Sequence, residues 1–376
     1  MARGESAVEE EIFRIVESDG SFDARLDPKL PEKDLLKVYR AMLLARSLDN
    51  RMLSLQRQGR IGFYVPSTGQ EACQVGGAFP LRPVDWIFPA YREPGAALWR
   101  GFPLQTLVHQ FFGNAADASK GRQMPNHYGL RDVNYVSVSS PVGTQIPLAV
   151  GAAWAAKIRG DKTVTLTFFG DGATSQGDFH AGMNFAGVFK TPTIFFCQNN
   201  QWAISVPRER QTASKSLAIK AQAYGFEGVR VDGNDVLAVI EVTTRAVDKA
   251  RAGGGPTLIE GVTYRMGPHS SSDDPTRYRP AAQVEEWKKK DPISRFKAYL
   301  ENRGLWDEID DGHLQKELDD EINEAIRVAE KTPPPALETV FTDVYADVPP
   351  HLREQMEEFM KSGERRRPEI SDKFPL

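Results

Sequence analysis

The sequence predicts an α/β fold, a doubly wound and mostly parallel sheet with an N-terminal arm and a C-terminal helical extension, and three observations carry that prediction. Short β-type runs recur at 164–170 (VTLTFFG), 193–200 (TIFFCQNN), 226–233 (FEGVRVDG) and 256–264 (PTLIEGVTY), and read as buried strands. Longer helical stretches such as AVGAAWAAKIRG and VLAVIEVTTRAVDKARAGG separate them. This strand-then-helix rhythm is the pattern of crossover connections between parallel strands.

In chain order, residues 1–33 are polar and acidic, with Pro28 and Pro31 near their end, and predict an extended arm rather than a packed element. An α/β domain over 34–330 follows. It opens on a helix in which Leu35, Tyr39, Met42, Leu43, Leu48, Met52 and Leu55 fall near helical spacing, with Gly59 as its stop. After Tyr264 the apolar-poor stretch RMGPHSSSDDPTRYRP leads into charged helices up to about residue 330. Three prolines at 333–335 open a tail over 331–376, with an amphipathic helix near 351–361. The sequence contains no internal repeat.

Composition narrows the function. The 376 residues are 40% hydrophobic, enough for a full-sized core, and the net charge of −4 is mixed along the chain. No basic stripe is present to neutralise many phosphates, which argues against nucleic acid as a partner. The two cysteines, Cys73 and Cys197, are far apart among apolar neighbours and predict buried, reduced thiols. The first 20 residues are acidic and lack an apolar core, unlike a secretory signal or a basic transit peptide, and no segment has membrane-spanning length. The expectation is a cytoplasmic, prokaryotic protein without membrane partners.

The chemistry centres on GDGATSQGD, which begins at Gly170 and lies between a β-type and a helical run. Twenty-six residues separate Gly172 from Asn199 and Asn200 at the end of the next strand. In a parallel sheet both strand ends open onto one crevice, so Asp171 and Asn200 can converge on one ion. An anionic and an amide oxygen are hard donors suited to Mg²⁺, which completes its shell with water and ligand phosphate. The glycines allow close backbone approach, and the following helix N-terminus faces a diphosphate favourably. Either half alone is a common turn or strand end. Together, at this spacing, they read as a metal and diphosphate site.

That pairing resembles the signature of thiamine diphosphate (ThDP) enzymes. RQGRIGFYVPSTGQEA, FPAYREPGAALWRG, KGRQMPNHYG, SSPVGTQIPLAVGAA, CQNNQWAISVP and GPHSSSDDPTRYR resemble α subunits of 2-oxo acid dehydrogenases, from roughly residue 35 to 361. The resemblance implies the ThDP-binding fold, with Mg²⁺ held by Asp171, Asn200 and the carbonyl of Trp202, where Trp replaces a more usual Tyr. It places Tyr91, Arg92, His269, Gly172, Ala173 and Thr174 on the cofactor. Ser140, Pro141 and Val142 cradle its centre, Val142 as the wedge that bends it, and Ala203 and Ile204 complete the binding segment. Gln198 stands where some branched-chain relatives carry Arg. The substrate pocket would be lined by Phe63, Tyr91, Met124, Pro125, Asn126, His127 and Ser140. The catalytic roles fall to His269, Ser140, Tyr91 and His127, and the remaining histidines have no such context. Ser139, Thr144 and Gln145 match a segment that holds K⁺ in some relatives.

By the same resemblance the activating glutamate belongs to a β subunit, so the chain would act in an α₂β₂ assembly together with a lipoyl-bearing E2 acyltransferase. SSPVGTQIP and HSSSDDPTRYR look more like the branched-chain subfamily than the pyruvate one, with pyruvate or mixed specificity as the alternative. A scaffold subunit that had lost its cofactor would not be expected to keep Asp171, Asn200, Arg92 and His269. Transketolases carry both cofactor-binding halves in one longer chain.

Overall fold

A computed structural model describes residues 11–363. Its centre is a five-stranded sheet, all parallel, formed by β1 (Trp86–Phe88), β2 (Thr165–Gly170), β3 (Thr193–Asn199), β6 (Glu227–Asp232) and β7 (Thr257–Val262), in the order β1-β2-β3-β7-β6. The two-residue strands β4 (Trp202–Ala203) and β5 (Val206–Pro207) form a separate small hairpin beside the end of β3.

Alternation along the strands explains the layering. On β3, Ile194 and Phe196 enter the larger core, and Phe195 and Cys197 enter a second core on the opposite face. Phe168 and Phe169 on β2, and Ile259 and Leu258 on β7, divide in the same way. A strand covered on both faces has no polar side, which is why 164–170 and 193–200 read as unbroken apolar runs. Both cysteines are buried free thiols.

The larger core is covered by α1 (Glu32–Arg57), α2 (Glu71–Ala78), α8 (Val236–Arg251) and α10 (Pro292–Asn302). The second is covered by α5 (Gln145–Arg159) and α6 (Gly177–Phe189). The 26-residue α1 starts after Pro31 with Glu32 and Asp34 in its first turn, and buries Leu35, Val38, Tyr39 and Met42 on one stripe. Short helices α3 (Pro94–Trp99), α4 (Leu104–Phe112) and α7 (Arg208–Gln211) link the strand ends. α9 (Ala281–Lys288) and α11 (Glu308–Lys331) are the charged helices that the sequence predicts, and α12 (Thr339–Thr342) and α13 (Pro350–Gly363) form the C-terminal extension. Among the described residues no helix is long and apolar enough to cross a membrane.

The N-terminal arm departs from expectation. Ile15 and Val16 are 3% and 1% exposed and belong to the larger core, and Phe13 bridges Val231 at the sheet edge. The cause is Asp235, whose Oδ2 accepts the amides of Ile15 (2.6 Å) and Val16 (2.7 Å) while its Oδ1 caps α8 through Leu237 and Ala238. One carboxylate thus ties the arm to a helix more than 200 residues away. Residues 1–10 and 364–376 of the expected arm and tail lie outside the described residues.

Candidate active site

The site lies where β1, β2, β3 and β7 end. Asp171 is the first residue beyond β2 and is 1% exposed. Burial pushes its carboxyl up to about 6, against backbone hydrogen bonds and the nearby Arg265. Its Oδ2 has no hydrogen-bond partner among the described residues. The loop beyond is pinned from below, since Thr174 Oγ1 donates to the Asp171 carbonyl (2.9 Å) and Lys220 Nζ reaches Thr174 Oγ1 (3.1 Å). Gly172 leaves space that a side chain would take, because a Cβ there would stand 3.0 Å from Cβ of Ala203.

Asn200 follows β3, and its Nδ2 donates to Gln70 Oε1 (3.0 Å) while its Oδ1 accepts the Trp202 amide (3.2 Å). Arg265, beyond β7, donates to the carbonyls of Trp202 (3.2 Å) and Ile204 (2.7 Å). Ile204 has φ +56°, a left-handed conformation that is unusual for a β-branched residue and marks strain held by its surroundings.

Arg92 follows β1 and is 5% exposed. It donates to the carbonyl of Pro66, to the carbonyl of His269 (2.9 Å) and towards His269 Nδ1 (3.2 Å). Burial, then Arg92 and Arg265, push the His269 imidazole down to about 3, so it is neutral at working pH. Arg92 donating to Nδ1 leaves Nε2 as the protonated nitrogen. Neither Arg92 nor Arg265 has a carboxylate ion-pair partner among the described residues. Two buried guanidiniums therefore stand without a direct carboxylate partner near a carboxylate with an unpartnered oxygen.

Asp171, Gly172, Asn200, Arg92 and His269 line a cavity of about 540 Å³, with Arg265 behind its wall. Tyr91, Ala173, Ala203, Phe63 and Met124 stand in its wall. Ser140 and His127 also line it, joined by Ser140 Oγ to His127 Nε2 at 2.7 Å, with His127 Nδ1 3.3 Å from the Pro125 carbonyl. Val142 and Ile204, 45% and 55% exposed, stand at the open side.

Four residues placed at the site by the sequence do not line the cavity: Pro125, Asn126, Pro141 and Thr174. Asn126, with φ +70°, is fully buried, and its Oδ1 accepts the Val65 amide (3.0 Å), so it holds the loop instead. Of the segment matched to K⁺, Ser139 and Gln145 reach the wall, with Gln145 Nε2 donating to the Phe168 carbonyl, and Thr144 does not. Gln198 Nε2 donates to Glu93 Oε1 (2.6 Å), and burial lifts the Glu93 carboxyl to about 7. Sequence reasoning assigned no role to Gln70, Glu93 or Arg265. Gln70 lies inside the quoted STGQEA segment, but a polar residue before a helix reads as a cap.

Among the described residues no three His, Cys, Asp or Glu side chains cluster as metal ligands. An ion beside Asp171 would therefore draw on neutral oxygen donors and on its ligand.

Fold and site together define a parallel α/β domain with a buried anion- and cation-holding cavity at its strand ends. The chain belongs to the dehydrogenase E1 component family, which it matches over residues 39–338. It is 45% identical to 2-oxoisovalerate dehydrogenase subunit alpha 2, mitochondrial, of Arabidopsis thaliana, over 91% of this chain and 73% of that protein. It is 44% identical to the human mitochondrial 2-oxoisovalerate dehydrogenase subunit alpha, over 92% and 78%. The Dictyostelium discoideum protein of the same name is 43% identical over 89% and 76%. These relatives are mitochondrial by name, which overturns the cytoplasmic expectation. That expectation rested on the charge of a short terminal segment, and such a segment does not determine compartment.

Proposed function

We propose that the chain is the E1 α subunit of a branched-chain 2-oxo acid dehydrogenase, holding the diphosphate end of ThDP through Mg²⁺. The supporting observation is the buried Asp171 carboxylate, with one oxygen unpartnered, lining the same cavity as Arg92, which has no direct ion-pair partner among the described residues, with Arg265 close behind. Such a set suits a cation and an anion bound together.

The donors fit the group. Asp171 Oδ2 and Asn200 Oδ1 would hold the metal, with the Trp202 carbonyl, which has a second lone pair beside its bond to Arg265. Arg92 and the Nε2–H of His269 supply donors to phosphate oxygens. ThDP, when bound, supplies a nucleophilic carbon and an electron sink for decarboxylation. A hydrogen bond between Ser140 Oγ and His127 Nε2 fixes the hydroxyl at the cavity wall, and Phe63, Val142 and Met124 give that wall its apolar character. An apolar pocket separates side chains by only about 1 to 3 kcal/mol per methylene, so substrate preference is tunable. Completion of the site by a β subunit in an α₂β₂ assembly, and acyl transfer to a lipoyl-bearing E2, belong to the same reading.

The test is co-expression with the β partner, followed by 2-oxo acid-dependent reduction of an artificial electron acceptor with and without ThDP and Mg²⁺. Cofactor-dependent activity favouring 3-methyl-2-oxobutanoate and 4-methyl-2-oxopentanoate is expected. A preference for pyruvate would move the chain to the sister activity, and an assembly that binds no ThDP would refute the reading.

A further inference from the structure

Gln70 is placed by its sequence neighbours with unusual firmness. The buried carboxylate of Asp49, on α1, accepts the amides of Ser67 (2.8 Å) and Thr68 (3.0 Å) and the hydroxyl of Thr68 (2.5 Å). Gly69 then turns with φ +98°, where a Cβ would lie 2.5 Å from the Tyr264 carbonyl oxygen, so only glycine can make the turn. Gln70 enters α2 as its N-cap residue, yet its side chain makes no capping bond. It is fully buried, lines the cavity and directs Oε1 to Asn200 Nδ2 at 3.0 Å. Its Nε2 has no partner among the described residues.

Both ends of this amide have chemical consequences. With Nδ2 committed to Gln70, the Asn200 side chain is fixed so that its oxygen faces the other way, as a metal ligand requires. The Gln70 amide nitrogen is a buried donor in a wall that also carries Arg92, and the two are linked because Arg92 donates to the carbonyl of Pro66 at the start of the same turn. A neutral donor adds affinity for an anionic oxygen without adding charge repulsion to a wall that already holds a buried guanidinium.

Building on the proposed cofactor, we propose that Gln70 is a further binding residue, its Nε2 donating to the diphosphate while its Oε1 orients Asn200 for the metal. The experiment uses the assembled α and β subunits and measures ThDP affinity by calorimetry at fixed Mg²⁺, and half-saturating Mg²⁺ at fixed ThDP. Gln70→Glu keeps an acceptor for Asn200 but loses the donor; Gln70→Met loses both. ThDP affinity is expected to fall about tenfold or more in each, with the Mg²⁺ requirement raised severalfold in Gln70→Met and less in Gln70→Glu. ThDP affinity within twofold of the parent in Gln70→Met, which removes the donor without adding charge, would overturn the inference whatever Gln70→Glu does. A crystal structure of the unsubstituted holoenzyme tests it independently of variant folding: Nε2 at hydrogen-bond distance from a phosphate oxygen supports it, and Nε2 turned to protein overturns it. Failure of the unsubstituted assembly to bind ThDP would refute the cofactor itself, a result distinct from either.

Discussion

Asp235→Asn is the sharpest test of how the N-terminal segment is held. The substitution is nearly isosteric and keeps one oxygen for the cap on Leu237 and Ala238. The amide nitrogen that replaces Oδ2 would face the amides of Ile15 and Val16, donor against donor, at spacings now of 2.6 and 2.7 Å. Two buried donors left unpaired cost about 1 to 3 kcal/mol each. Release of the arm limits the loss, because peeling Ile15 and Val16 from the core exposes two apolar side chains at about 1.5 to 3 kcal/mol each. Either route gives a destabilisation of about 3 kcal/mol, a fall in melting temperature of roughly 3 to 5 °C for a chain of 376 residues. Urea unfolding measures the free energy, and amide exchange at Ile15 and Val16 reports whether the arm has peeled away. A variant within 0.5 kcal/mol of the parent, with those amides still protected, would refute the latch.

Three other outcomes are expected. Ile204→Gly removes the strain at φ +56° and should raise stability by about 1 kcal/mol while weakening ThDP binding; unchanged stability would show the turn to be relaxed. Asp85→Asn breaks a buried bidentate pair with Arg251 (3.0 and 2.7 Å) and should cost about 3 to 5 kcal/mol in chemical unfolding. His269 has a folded-state pKa near 3, below its unfolded value, so the native state binds fewer protons and stability falls as pH drops below about 6.5. Its ring signals should not titrate between pH 5 and 8, and His269→Gln should flatten the acid limb of the stability profile.

The elements legible in the sequence were those whose surroundings impose a simple pattern. β2 and β3 are covered on both faces and read as continuous apolar runs, and α1 shows one stripe because only one side meets the core. β1 escaped notice because it has three residues and is followed by Pro89, yet it delivers Tyr91 and Arg92 to the cavity. The arm misled because Ile15 and Val16 lie in polar sequence and their partner, Asp235, is remote. At the site, Asp171 and Asn200 could be found from a spacing that the parallel sheet converts into proximity. Asn126 could not be resolved, since backbone direction at φ +70°, and not neighbourhood in the sequence, decides where its side chain goes. Gln70 and Arg265 act through residues more than 60 positions away in the chain, and nothing local to them indicates it.

The apolar rim of the cavity also bears on how this protein must be made. Met124, Val142, Ile204 and Val206 are between 41% and 55% exposed around one opening. Clustered apolar surface of this kind is an aggregation liability when it meets water instead of protein. If the β subunit covers that rim, chains produced in excess of their partner are the ones that clump or are degraded. Balanced synthesis of the two subunits then becomes a requirement written into four side chains, and yield in co-expression should follow the scarcer partner.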